Sequence, residues 1–136
     1  MAEVWQMTDL VIREEDLVVY DQVLQRMLRQ SLAKCVLLIN RDDGSLITSQ
    51  GFLEDLDTIS LGALAAGAFA SAREIARLVG EQEFSVLFHQ GEREHVHVNL
   101  AGNRGLLMTL FDDRTTVGLV RLCAREACGQ IERMLA

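Results

Sequence analysis

From Glu14 onward, apolar residues recur at three- and four-residue intervals: Leu17, Tyr20, Leu24, Met27, Leu28 and Leu32. That spacing predicts an amphipathic helix, and Glu14, Glu15 and Asp16 stand where the positive end of its dipole favours acids. The apolar run Cys35–Asn40 is closed by Asp42-Asp43-Gly44, a turn in which glycine supplies a positive φ. Residues 46–50 return as the second arm of a hairpin. Asp57, Thr58 or Ser60 can cap a second helix, which runs to Gly80, a natural stop. Three strands follow over residues 84–89, 95–100 and 106–111, separated by polar turns. A last helix after residues 112–115 carries Val117, Val120, Ala124, Ala127, Ile131 and Met134 on one side. The order predicts an α+β fold, an α-β-β-α-β-β-β-α sandwich around one five-stranded antiparallel sheet. The first dozen residues show no clear period and read as a short strand or a loose arm.

Composition narrows the function. Hydrophobic residues are 49% and charged residues 24% of the 136, a globular balance without proline, linker or repeat. A single domain over residues 1–136 is expected, with 1–13 as an N-terminal arm or short strand. At this length no disulfide or metal is needed to fold. Twenty acidic against thirteen basic residues give a net charge of −7, which argues against nucleic acid and disfavours an anionic membrane surface. The longest low-charge stretch, residues 58–72, is too short to span a bilayer, so no membrane insertion is expected. Cys35, Cys123 and Cys128 are odd in number and widely spaced, and the N-terminus has no basic stretch before an apolar run. Both point to a reducing, cytoplasmic setting.

Catalytic patterns are missing from the chain. It has no phosphate-cradling loop, no dinucleotide fingerprint and no nucleophile elbow, so no catalytic residue and no cofactor is expected. If residues 84–89 and 95–100 form a hairpin, simple alternation puts Phe84, Val86, Phe88, Val96 and Val98 on one face. His89, His95 and His97 would then share the other. Three imidazoles would suit zinc, but no carboxylate or cysteine completes the set, and no metal is expected.

The central helix is the informative segment. Leu61, Leu64, Ala68, Ala72, Ile75 and Val79 define a stripe expected to face the core. Half a turn away lie Gly62, Ala63, Ala66, Ala70, Arg73 and Arg77, small residues ending in two arginines. A solvated helix face would carry Glu and Lys throughout. This one is expected to meet another chain, because small residues admit a close backbone and arginine is enriched at interfaces.

The Gly/Ala-rich helix ending in Ala76-Arg77-Leu78-Val79-Gly80-Glu81, set in this order of elements, resembles the roadblock/dynein-light-chain domain family. Three further runs are similar to its MglB-type members: Asp57-Thr58-Ile59-Ser60-Leu61, Phe88-His89-Gln90-Gly91, and the stretch from Phe111-Asp112-Asp113-Arg114 through Thr115-Thr116-Val117-Gly118 to Leu119-Val120-Arg121-Leu122. The resemblance covers residues 9–136. It implies dimers joined sheet edge to sheet edge with their central helices side by side. It also implies binding to a small Ras-like GTPase of the MglA type, in a cell-polarity or motility role, with stimulation of GTP hydrolysis. In such members the GTPase carries its own catalytic arginine and the regulator reshapes its switch regions. Other roadblock proteins are scaffolds or adaptors that bind a GTPase or filament component without activating it. The strand Phe84, Ser85, Val86, Leu87, Phe88 and His89 carries no proline and no charge beyond its histidine. Pairing it with its own copy in a homodimer would satisfy an otherwise open edge.

Overall fold

Helix α1 spans Glu14–Ser31 and ends at Leu32, which takes a left-handed φ of 60°. In this computed structural model the backbone of residues 4–7 and 10–134 and the side chains from Ile12 to Met134 are described. Met1, Ala2, Glu3, Thr8, Asp9, Leu135 and Ala136 lie outside the described residues. Ahead of α1, β1 (Val4–Met7) and β2 (Leu10–Arg13) pair as an antiparallel hairpin, where the pattern alone allows one short strand or an arm. The strands β3 (Cys35–Asn40), β4 (Leu46–Gly51), β5 (Val86–Gln90), β6 (His95–Ala101) and β7 (Gly105–Phe111) form one five-stranded antiparallel sheet in the order β4-β3-β7-β6-β5. Helices α2 (Thr58–Leu78) and α3 (Val117–Glu132) complete the sandwich.

The two faces of the sheet carry separate cores. Val36, Leu38, Ala101 and Leu107 meet Tyr20, Leu24 and Met27 of α1 and Val120, Ala124 and Ile131 of α3. On the opposite face Cys35, Leu37, Ile39, Val98, Leu106 and Met108 meet Ala65 and Phe69 of α2. Strand β3 is buried at every position, which is why its sequence is continuously apolar and does not alternate. Leu32 and Val117, both expected to join a core side, are exposed at the ends of their helices.

Local chemistry sets the ends of α2. The Asp57 carboxylate accepts from the Ser60 amide at 3.0 Å and the Ser60 hydroxyl at 2.6 Å, and these bonds lower its pKa. At the other end Gly80 takes φ +86°, the Gly80 amide donates to the Arg77 carbonyl and the Glu81 amide to the Ala76 carbonyl, a left-handed terminating turn. The helix is 21 residues long and passes as a bilayer span by length and composition. It exceeds the low-charge stretch because it continues through Arg73, Glu74 and Arg77, and it buries one side on the sheet.

Near its start α2 touches the β3–β4 turn backbone to backbone. Gly62 is buried, and a Cβ there would run into the Gly44 carbonyl oxygen. A Cβ on Gly44, at φ +76°, would lie 2.7 Å from the Ala63 Cα. Gly62→Ala is therefore expected to cost about 2 kcal/mol, because the blocking atom is main chain and cannot rotate away. Gly67, whose added Cβ meets nothing within 4 Å, is the control: Gly67→Ala should be neutral or stabilising by up to about 1 kcal/mol. Urea melts of the two variants test this, and equal midpoints would show the crossing to be pliable.

Candidate partner-binding surface

Helix α2 has three sides instead of two. The buried side is Gly62, Ala65, Phe69, Ala72 and Ala76. At the ~100° per residue of an α-helix, it is rotated by roughly 80° from the stripe expected to be core. That expectation is corrected: Leu64 is 71% exposed, Ile75 55% and Val79 65%, with Leu61 and Ala68 only half-buried. Of the stripe only Ala72 is buried. Small residues let α2 sit close to the sheet, so Leu64, Ile75 and Val79 fall on a flank that the described residues leave mostly exposed. On the same face of the molecule, Leu87, Val96, Leu100 and Leu110 of the sheet are also only partly covered.

The third side carries the small residues. Ala63, Ala66, Gly67, Ala70 and Arg73 line a groove of about 350 Å³ whose other wall is Arg41, Asp42 and Asp43 of the β3–β4 turn. Gly62, placed on this surface by its spacing, is instead buried against Gly44, so the partner-facing set loses its first member. Arg77 is exposed and pairs with Glu74 at 3.3 Å, one turn beyond the groove. Arg41, Asp42, Asp43 and Gly67 are not singled out by the pattern. Gly67 stands four residues after Ala63 and is legible by period; the turn residues reach the groove only through the Gly44–Gly62 crossing.

The groove ends in an ion cluster. Arg41 pairs with Glu83 of the α2–β5 linker, its Nη1 donating to Oε2 at 3.3 Å, and Arg73 Nε lies 3.6 Å from Glu83 Oε1. Burial, with the neighbouring Arg73 adding repulsion, lowers the pKa of Arg41 from the ordinary arginine value.

The outermost strand on the partly covered side is β5. It begins at Val86 and ends at Gln90, so Phe84 and Ser85 precede it; the Ser85 carbonyl still accepts from the Leu100 amide at 2.9 Å. Phe84 and Ser85 belong to the linker because the chain is still turning away from α2 there. Val86 and Leu87 are half-buried, whereas Phe88, His89 and Gln90 are exposed, and among the described residues β5 pairs with β6 alone.

Register, not alternation within one strand, decides the histidines. Phe88 pairs with His97, His89 with Val96 and Gln90 with His95. Directly paired residues share a face, so Phe88, His95 and His97 lie together and His89 lies on the other face, one step from the expected arrangement. His95 and His97 stand near Phe88, at ring distances of 6.3 and 6.5 Å, and His95 Nε2 pairs with Asp113 Oδ1 at 3.0 Å. Among the described residues no three His, Cys, Asp or Glu side chains group as metal ligands.

His97 is 1% exposed, and burial, with a smaller push from Arg121, lowers its pKa to about 4. The unfolded chain takes up this proton first, near pH 6.5. Stability is therefore whole above about pH 6.5 and falls as pH drops toward 4, by on the order of 3 kcal/mol. His97→Leu should flatten that part of a stability–pH curve measured by urea unfolding, and an unchanged slope would overturn the assignment. The thiols are inert packing groups: burial pushes Cys35 up to about 11 and Cys128 up to about 12.

Residues 19–111 match the Roadblock/LC7 domain. The chain is 35% identical to Myxococcus xanthus MglB, with 85% of this chain and 94% of that one covered and a TM-score of 0.81. The gliding protein MglB of Thermus thermophilus shows 30% identity, 96% and 98% coverage and a TM-score of 0.89. A solved MglB with a tetrameric arrangement gives 29% identity, 96% and 97% coverage and a TM-score of 0.89.

Proposed function

From the premise that the chain belongs to the Roadblock/LC7 domain family, we propose that it is a homodimeric regulator of a small Ras-like GTPase of the MglA type, stimulating its GTP hydrolysis. The observation that supports this reading is the three-sided α2. A helix serving one chain would leave one polar side in water; this one leaves an aliphatic flank and a small-residue groove. The two unpartnered sides have different chemistry and therefore suit different partners.

The aliphatic flank fits a second copy. Leu64, Ile75 and Val79 are exposed on α2, and Leu87 and Val96, on the sheet face that α2 packs on, are only partly covered at and beside the edge strand β5. Antiparallel pairing of β5 with its own copy satisfies that edge, and the two α2 helices bury each other's flanks over the sheet. The groove of Ala63, Ala66, Gly67 and Ala70 then remains outward on both copies. Its low floor suits a switch segment that changes shape, while the nucleotide and Mg²⁺ chemistry stays within the GTPase.

The test is single-turnover GTP hydrolysis by the chain's cognate MglA-type GTPase, with and without this protein. Faster hydrolysis that saturates with added dimer is expected. Binding without faster hydrolysis would replace the activating role by a scaffolding one, and no binding would overturn the reading.

A further inference from the structure

We propose, resting on the groove reading above, that Arg73 anchors a single carboxylate of the GTPase and that Glu83 is the internal counter-ion this carboxylate displaces. One carboxylate here faces two guanidinium groups. Arg41 is committed to it: its side chain is only 11% exposed, and both terminal nitrogens engage the two Glu83 oxygens. Arg73 is not. Its Nε stands 3.6 Å from Glu83 Oε1, longer than a hydrogen bond, and its side chain is 49% exposed at the mouth of the groove. Glu83 is taken up by Arg41, so the guanidinium of Arg73 stands half-exposed at the mouth of the groove without a close carboxylate on Glu83.

The opposite wall selects the ligand. Asp42 and Asp43 stand across the groove and repel any anion, a phosphate group with two or more charges more than a single carboxylate, so one carboxylate on the planar fork of Arg73 is the better tolerated ligand. The small floor of Ala63, Ala66, Gly67 and Ala70 brings the incoming backbone near enough for a short Asp or Glu side chain to reach. When it docks, Arg73 turns from Glu83 to the new carboxylate, and Arg41 keeps Glu83 and holds the linker in place. Arg77, paired with Glu74 one turn away, has no part in the exchange.

The experiment titrates the GTPase, loaded with a non-hydrolysable GTP analogue, into the wild-type dimer and into Arg73→Gln, Arg73→Lys, Glu83→Gln and Ala70→Arg. Arg73→Gln is expected to weaken binding ~10-fold at low salt and less at high salt, with Arg73→Lys recovering only part of that loss because an ammonium has the charge but not the fork. Glu83→Gln keeps an acceptor for Arg41 but removes the competing charge, so binding should tighten by ~3-fold or more and become more sensitive to salt. Wild-type affinity in Arg73→Gln, or unchanged or weaker binding in a Glu83→Gln dimer with an unaltered melting temperature, overturns the proposal. If Ala70→Arg also binds normally, the groove reading itself fails; if Ala70→Arg is blocked while Arg73→Gln is not, only the anchor fails.

Discussion

Leu64→Asp combined with Ile75→Asp is expected to yield a folded monomer at micromolar concentration, where the wild type is expected to be a dimer, both measured by light scattering. Both side chains are mostly exposed in the single chain, at 71% and 55%, so the substitution removes little that holds one copy together. In the proposed dimer each is buried against the other copy. Burying one large aliphatic side chain is worth about 1.5–3 kcal/mol, and each substitution occurs twice across a two-fold interface. The dimer dissociation constant should therefore rise by more than ~100-fold. Val18→Asp gives the contrast: Val18 is 57% exposed on α1, away from α2 and β5, and its loss should leave the dimer intact. A dimer that survives the double substitution would remove the aliphatic flank from the interface.

That flank also shows where a single sequence is readable and where it is not. The order of helices and strands, the Asp57 cap and the Gly80 stop follow from short-range rules of period, capping and turn chemistry, and each stands in the structure. The orientation of α2 does not follow. Period analysis finds the side bearing the largest apolar residues and assigns it to the core. Here the core side is packed by Ala65, Ala72 and Ala76 around Phe69, and Leu64, Ile75 and Val79 are left exposed, the side that the proposed dimer would cover. The histidines fail for a related reason. Alternation holds within β5 and within β6, but the pairing of Phe88 with His97 depends on the length of the turn between them, and one residue of register exchanges the faces. Spacing assigns Gly62 to a partner because small residues admit a backbone; the backbone admitted is that of Gly44 in the same chain. Glu83 carries no pattern at all, since its role arises from Arg41 and Arg73, distant positions in the sequence that only the fold brings together.

Ala70→Arg is expected to abolish productive contact with the GTPase while leaving the dimer folded. Ala70 is exposed and lines the groove, so a long side chain there meets solvent in the free protein and the partner's backbone in the complex. Arginine is a good helix former, and the melting temperature should stay close to that of the wild type. A guanidinium added between Ala66 and Arg73 fills a groove of about 350 Å³ and sets a second positive charge beside the first. A misplaced charge in a packed contact costs well over ~1.4 kcal/mol, so affinity and the stimulation of hydrolysis should each drop by at least ~10-fold. Ala66→Arg should act the same way with some loss of stability, because Ala66 is half-buried beside the β3–β4 turn. The position, not the charge, is what the pair of variants probes. Arg121, on α3, carries a charge far from the groove, and Arg121→Ala should leave the GTPase response unchanged. If both Ala70→Arg and Ala66→Arg dimers are folded and still accelerate hydrolysis normally, the groove is not the contact. The remaining surface is then the loop at Asp112, Asp113 and Arg114, where Arg114 is held to Asp112 at 3.0 Å and the start of α3 stands exposed.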